Sequence, residues 1–311
     1  NAKITAELLA EKIDISPEKI LLASTGLIGE QLPMEFIGKG ISEAVDSLNK
    51  EGGKDAAEAI LTTDTFVKEI AVKLNLSGRE VIIGAMAKGA GMINPNLATM
   101  LGFVTTDAVI SKDLLGIISK ICVEESFNLI SVDGDMSTND QVIIMANGKA
   151  GNNLIESETD TKCFKDGLLF VLKKLASMIV KDGEGATKFI KIKIKGCLSK
   201  DSAKKIGLTI ANSLLVKTAF YGEDVNWGRI MNSMGSSGVD FNQNEVEIWF
   251  ENIKIVQNGE KANFNKEDAE NILKQKEIEV IIDLNQGSEE AEVLTTDLSK
   301  EYVEFNSRYS T

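Results

Sequence analysis

The segment from Thr161 to Gly196 holds two hydrophobic periods back to back, and that juxtaposition limits the folds open to the chain. "TKCFKDGLLFVLKKLASMIVK" repeats its apolar residues at helical spacing, and Lys173 and Lys174 interrupt it well short of the roughly 18–20 apolar residues of a membrane span. "KFIKIKIKG" then alternates lysine with apolar residues, the pattern of a strand with one face on a core and one in solvent. A long amphipathic helix feeding such a strand requires a sheet with a helix laid against it.

The rest of the chain mixes the two periods irregularly. Helices are expected in "NAKITAELLAEKI", "PMEFIGKGISEAVDSLNK", "SKDLLGIISKICVEESFN", with a serine cap, and as one element through "SKDSAKKIGLTIANSLLVKTAFYG". A short helix is expected within "GEDVNWGRIMNSMGSSG" and a terminal one in "DLSKEYVEFNSRYST". Strands are expected in "KILLAS", in "TFVKEIAVKLN" and "REVIIGAMA" around an "LSG" turn, in "TMLGFVTTDAVI", in "QVIIMAN" as a short buried strand, and in "EVEIWF", "KIVQ" and "EIEVIIDLN". No repeat or low-complexity linker divides them. The expected class is α/β in the α+β sense, sheets covered by helices, and not an all-parallel doubly wound fold.

Composition narrows the function. A formal charge of −13 disfavours nucleic acid and anionic membrane surfaces, and no basic patch overrides it. Cys122, Cys163 and Cys197 lack paired spacing and read as single thiols of a reducing, cytoplasmic compartment. The chain has no histidine, so Ser-His-Asp and Cys-His catalytic sets and His-ligated zinc are excluded. No metal site is expected: "VDGDMSTNDQVI" has the look of a calcium loop, but Thr138 and Ile144 stand where an EF-hand needs Gly and Glu. It reads as a hydrogen-bonded polar turn.

"MAKGAGMINPNLATMLGF", Met86 to Phe103, is not a phosphate loop, because the G-x-x-x-x-G-K-[ST] order is missing. Its Ala98-Thr99 step offers other chemistry. A Thr hydroxyl can attack the preceding carbonyl and shift the peptide to an ester; hydrolysis then leaves an N-terminal Thr whose α-amine, titrating near 8, serves as its base. Asn94-Pro95-Asn96 would stiffen the approach, and Ala98 leaves the carbonyl open.

"KGAGMINPNLATML" resembles the self-cleavage signature of the glutamate N-acetyltransferases, also called ornithine acetyltransferases, of the arginine pathway. "LLASTGLIGEQLPM", "SVDGDMSTND", "KDGEGATKFI", "VKTAFYGEDVNWGRIMNSMGSSG" and "EYVEFNSRYST" are similar to further segments of that family, in family order, so the resemblance spans the whole chain. Met136 departs from it, standing where a small polar residue is expected.

The resemblance implies a layered α/β sandwich shared with self-cleaving aminopeptidases. It implies cleavage between Ala98 and Thr99 into an α chain, 1–98, and a β chain, 99–311, that opens with the nucleophile Thr99. Thr25 and Gly26 match the oxyanion-hole pair. Thr62, Lys88, Thr99, Glu184, Asn306 and Thr311 match substrate-binding positions, with Lys88 suited to a carboxylate and Glu184 to an ammonium. Read alone, Lys88 and Glu184 are ordinary surface charges; Thr311 as a ligand implies a C-terminus folded back into the site.

The implied reaction is ping-pong acetyl transfer from N2-acetylornithine to L-glutamate without metal or organic cofactor, in a dimer of αβ units. Use of acetyl-CoA as a second donor stays open, as do two other readings: an aminopeptidase or amide hydrolase of the same fold, and a binding protein with an intact Ala98-Thr99 bond. The chain begins without Met, and the resemblance implies a longer segment ahead of Asn1, so a truncated or processed product is expected.

Overall fold

The computed structural model of the chain describes residues 1–94 and 100–308. The chain opens with helices α1 (Ala2–Ile13), α2 (Met34–Asp46) and α3 (Gly53–Ala59). "KILLAS", expected as a strand, is not one. Ile20 has extended backbone angles, but no neighbouring strand pairs with this segment among the described residues, and Leu21 is largely exposed.

Next comes a four-stranded sheet in the order β1 (Lys68–Leu76), β2 (Arg79–Lys88), β3 (Leu101–Thr106), β4 (Gln141–Ala146). β1 and β2 form a hairpin whose two-residue turn, Ser77-Gly78, has φ of 48° and 85°. Two positive φ angles match the twist of the flanking strands, which is why "LSG" is a good turn here. β2 and β3 are antiparallel, and β3 and β4 are parallel, joined through α4 (Lys112–Glu124). Ser111 caps α4 by accepting from the Leu114 N–H. β4, expected as a buried strand, is a sheet edge with Met145 half exposed.

α5 (Glu158–Lys181) lies across β1 and β2, and its apolar stripe of Phe164, Leu168, Leu172 and Leu175 is wholly buried with Val81 and Ile83 of β2. β5 (Phe189–Cys197) follows and realises the alternation: Ile190, Ile192 and Ile194 are buried, while Lys191 and Lys193 pair with acids of neighbouring strands at 3.2 and 3.3 Å. The single helix expected next is two, α6 (Lys200–Ala211) and α7 (Leu214–Tyr221). Ser213 caps the second by accepting from the Val216 N–H, so the chain restarts its helix in a new direction.

The remaining elements are α8 (Trp227–Gly235), β6 (Glu247–Phe250), β7 (Ile253–Gln257), β8 (Glu260–Lys261), α9 (Lys266–Leu273), β9 (Glu277–Asp283), β10 (Glu289–Thr296) and α10 (Lys300–Asn306). A six-stranded sheet runs β10-β5-β9-β6-β7-β8, with only β5 and β9 parallel.

Two apolar cores result, one between the four-stranded sheet and α4 and α5, the other between the six-stranded sheet and α6 to α9. The segment Ile130–Val132 ties them together. The Ser131 N–H donates to the Leu294 carbonyl of β10, and the Val132 N–H donates to the Ile93 carbonyl beyond β2, both at 2.9 Å. No helix among the described residues is long and apolar enough to cross a membrane.

Candidate active site

Where β2 ends, Lys88 leads into Gly89, Ala90, Gly91 and Met92, and this turn forms one wall of a cavity of about 600 Å³. The chain just past α5 supplies Glu184, whose backbone N–H donates to the Ala90 carbonyl at 2.9 Å. Its carboxylate accepts from Thr63 Oγ1 at 2.7 Å and from Asn306 Nδ2, at the end of α10, at 3.2 Å. Gly91 lies so close that a Cβ there would fall 2.2 Å from Glu184 Oε2, so a residue with any side chain would displace the carboxylate. α10 is held in place by its cap, Ser299, which accepts from the Tyr302 N–H at 3.1 Å and donates to the Gly185 carbonyl at 2.5 Å.

The facing wall combines Thr25, Gly26, Leu27 and Ile28 with Asp133 and residues 135–139. Asn139 Nδ2 donates to the Ser24 carbonyl at 2.5 Å, which ties the "STG" turn to the polar loop. Asp133 gathers the N–H groups of Met92 and Ile93 at 2.7 and 3.0 Å and the Tyr302 hydroxyl at 3.2 Å. Burial nonetheless pushes its carboxyl above the usual range, and burial together with Asp133 raises the Tyr302 phenol.

Beneath the Lys88 turn lies a fully buried ion triad. Lys68 Nζ is 2.5 Å from both Asp64 Oδ1 and Asp182 Oδ2. Asp64 also accepts from the Gly89 N–H at 2.7 Å and from the Thr62 N–H at 3.3 Å, so it fixes both Lys88 and Thr62. Burial alone would raise the Asp64 carboxyl; the Gly89 N–H and the Lys68 ammonium outweigh it and hold the carboxyl below its ordinary value.

Lys88 is 3% exposed, which corrects its reading as a surface charge, and it makes no ion pair among the described residues. Burial lowers its pKa, while Asp64, Asp140 and Glu184 act to keep it charged and Lys68 opposes them. Asp140 Oδ1 accepts from the Met100 N–H at 2.7 Å. Burial raises the Asp140 carboxyl to about 7, against the pull of the Met100 and Ser137 N–H groups and of Lys88.

Six residues marked in the sequence, Thr25, Gly26, Thr62, Lys88, Glu184 and Asn306, therefore line one cavity, although they are up to 281 positions apart, Thr25 to Asn306. Ala98, Thr99 and Thr311 lie outside the described residues. Sequence reasoning missed Thr63, Asp133 and Tyr302 in the cavity and the triad below it. Signals were available: the Thr-Thr-Asp-Thr run before β1 holds Thr63 and Asp64, while Asp133, Asp182 and Tyr302 lie within the family-like segments "SVDGDMSTND", "KDGEGATKFI" and "EYVEFNSRYST". A buried cation and a carboxylate held ready by two donors suit a small zwitterion, whose two charges would each find a counter-charge. Among the described residues, no group of three or more His, Cys, Asp or Glu converges as a metal site.

Comparison with known proteins adds to this geometry. The sequence profile of the ArgJ family matches residues 1–311. The arginine biosynthesis bifunctional protein ArgJ of Thermotoga neapolitana is 46% identical, over 100% of this chain and 79% of its own. That of Desulfotalea psychrophila is 47% identical over 99% and 79%. A crystal structure of the arginine biosynthesis bifunctional protein ArgJ from Bacillus halodurans matches with a TM-score of 0.66 and 38% identity, covering 68% of this chain and 100% of the solved one.

Proposed function

The chain belongs to the ArgJ family, and on that premise we propose that it is an acetyltransferase of arginine biosynthesis, moving acetyl from N2-acetylornithine to L-glutamate through an acetyl-Thr99 intermediate. The observation that carries the reading is the convergence of Thr25, Gly26, Thr62, Lys88, Glu184 and Asn306 on one cavity, beside the segment that leads to Thr99.

In this reading the chain cuts itself between Ala98 and Thr99. The new α-amine takes the proton of the Thr99 hydroxyl as Oγ1 attacks the acetyl carbonyl. The Thr25 hydroxyl and Gly26 N–H receive the oxyanion, each worth about 3–4 kcal/mol in the transition state. Ornithine leaves with the proton, glutamate takes its place, and its amine collects the acetyl group. Lys88 holds the substrate carboxylate, Glu184 the ammonium of ornithine, and Thr62, Asn306 and Thr311 orient the rest. The two fragments act as a dimer of αβ units in the cytoplasm, without metal or organic cofactor.

The test is an acetyl-transfer assay with acetylornithine and acetyl-CoA as separate donors, on wild type and Thr99→Ala, beside a denaturing gel. Wild type runs as two bands, the larger beginning "TMLGFV", and transfers acetyl to glutamate; Thr99→Ala stays near 33.7 kDa and is inactive. A mutant that still cuts or turns over comparably refutes the role of Thr99. Acetyl release independent of glutamate makes the protein a hydrolase. Transfer from acetyl-CoA makes it bifunctional.

A further inference from the structure

Self-cleavage poses a problem that the finished enzyme does not have. The α-amine proposed as the base in acetyl transfer is still part of a peptide bond before the cut, and the chain has no histidine to stand in for it. Another group must accept the Thr99 hydroxyl proton in the first step.

Asp140 is placed for this task. Its Oδ1 is 2.7 Å from the backbone nitrogen of Met100, which is the nitrogen of the Thr99–Met100 peptide bond. Four covalent bonds of about 1.3–1.5 Å link that nitrogen to Thr99 Oγ1 along the chain. The other Asp140 oxygen, Oδ2, is buried and has no hydrogen-bond partner among the described residues. An unpartnered buried carboxylate oxygen costs about 1–3 kcal/mol or more and calls for a role.

Three other carboxylates in or beneath the cavity are committed elsewhere. Glu184 is held by Thr63 and Asn306, Asp133 by two backbone N–H groups and Tyr302, and Asp64 by Lys68 and Gly89. Lys88, at the end of β2, is the charged group that acts on Asp140 among the described residues, and Asp64, Lys68 and Glu184 act on Lys88 in turn. Burial lowers the Lys88 pKa, while Asp64, Asp140 and Glu184 act to keep it charged.

We propose that Asp140 is the general base of self-cleavage, acting on the Thr99 hydroxyl through Oδ2. The inference rests on the self-processing reading above. The carboxylate takes the Oγ1 proton as Oγ1 bonds to the Ala98 carbonyl carbon. The adduct collapses by breaking the carbon–nitrogen bond, and Asp140 returns the proton to the Thr99 nitrogen, leaving an ester and a free amine. One water then adds to the ester, releasing the Ala98 carboxylate and the Thr99 hydroxyl. A carboxyl that titrates near 7 suits both halves of this exchange, accepting and then returning one proton at working pH.

The experiment follows the cut by denaturing gel after full-length precursor is diluted from denaturant, for wild type, Asp140→Asn and Asp140→Glu. Asn can keep the acceptor for the Met100 N–H and loses the base, so Asp140→Asn folds, as read by its melting transition, but cuts at least ~100-fold more slowly, the lower end of what a general base contributes. Asp140→Glu retains a carboxylate and recovers part of the rate. The wild-type rate rises with pH to half its maximum near pH 7, a readout that holds even if neither variant folds.

Folded Asp140→Asn that cuts within about threefold of wild type, or a wild-type rate flat between about pH 5.5 and 8.5, overturns the assignment of Asp140 and leaves the self-processing reading standing. A wild type that folds and never cuts overturns both.

Discussion

Replacing Gly91 with alanine is the smallest change that separates the proposed binding geometry from a merely similar outline. The added Cβ falls 2.2 Å from Glu184 Oε2, 2.4 Å from Cδ and 2.7 Å from Oε1, where ordinary contacts lie at about 3.5–4.0 Å. The backbone of Glu184 cannot step back easily, since its N–H is bonded to the Ala90 carbonyl next to the mutated residue. The carboxylate must swing, giving up Thr63 at 2.7 Å and Asn306 at 3.2 Å.

A hydrogen bond to a charged group contributes about 1.5–3 kcal/mol, and the displaced carboxylate also loses its place opposite the substrate ammonium. We expect kcat/KM for acetylornithine to fall by about 2–3 kcal/mol, roughly 30- to 150-fold, with stability lowered by about 1–3 kcal/mol from overpacking. Steady-state kinetics across donor concentrations, with a urea melt as the control, measure both. A folded, self-cleaved Gly91→Ala enzyme with kcat/KM within about threefold of wild type would refute the idea that Glu184 must stay where it is to bind substrate.

Two further outcomes test the supports around the cavity. Asp182→Asn removes one of the two carboxylates that neutralise the fully buried Lys68, and breaking such a pair costs about 3–5 kcal/mol; a urea midpoint equivalent to less than about 1 kcal/mol would show the triad to be dispensable. Lys217, bonded to the Thr296 carbonyl at 2.5 Å, is pushed down to about 7 by burial, with Asp297 and Asp133 opposing. The unfolded lysine titrates near 10.4, so between about pH 7 and 10 the unfolded chain holds a proton that the folded chain has lost. Stability from this group therefore rises with pH by up to about 1.4 kcal/mol per unit in that window, and the penalty is complete below it. Urea melts at pH 7, 8 and 9 should show wild type gaining stability relative to Lys217→Met; parallel curves would mean that Lys217 stays charged when folded.

What the sequence reveals of this molecule depends on how far apart the cooperating residues lie. The hairpin of β1 and β2 and the lysine alternation of β5 are legible because neighbours in sequence decide them: two turn residues in one case, a two-residue period in the other. "KILLAS" has the composition of a strand but finds no partner, and pairing is a property of the sheet. β10 escaped because "EEAEVLTT" begins with acids, which become intelligible only beside Lys191 and Lys193 of β5. The cut between α6 and α7 was available in principle, since Asn212-Ser213 offers a stop and a cap; the apolar period running through it hid the break.

The site divides along the same line. Its residues are legible through the resemblance of short segments, yet their physical condition is not. Lys88 looks like any surface lysine until Asp64 and Lys68 are placed beneath the turn that carries it, and Gly91 looks like loop filler until Glu184, 93 positions later, is found in the space its side chain would occupy. Asp140 is the sharpest case. In sequence it closes a polar turn, and only the fold brings it against the backbone of Met100, 40 positions earlier, with one oxygen engaged and the other without a hydrogen-bond partner among the described residues. A carboxyl in that condition, bonded to the Met100 N–H, is the group proposed above to begin the cleavage of a chain without histidine, a step for which the N-terminal amine, formed only by the cut, is not yet there.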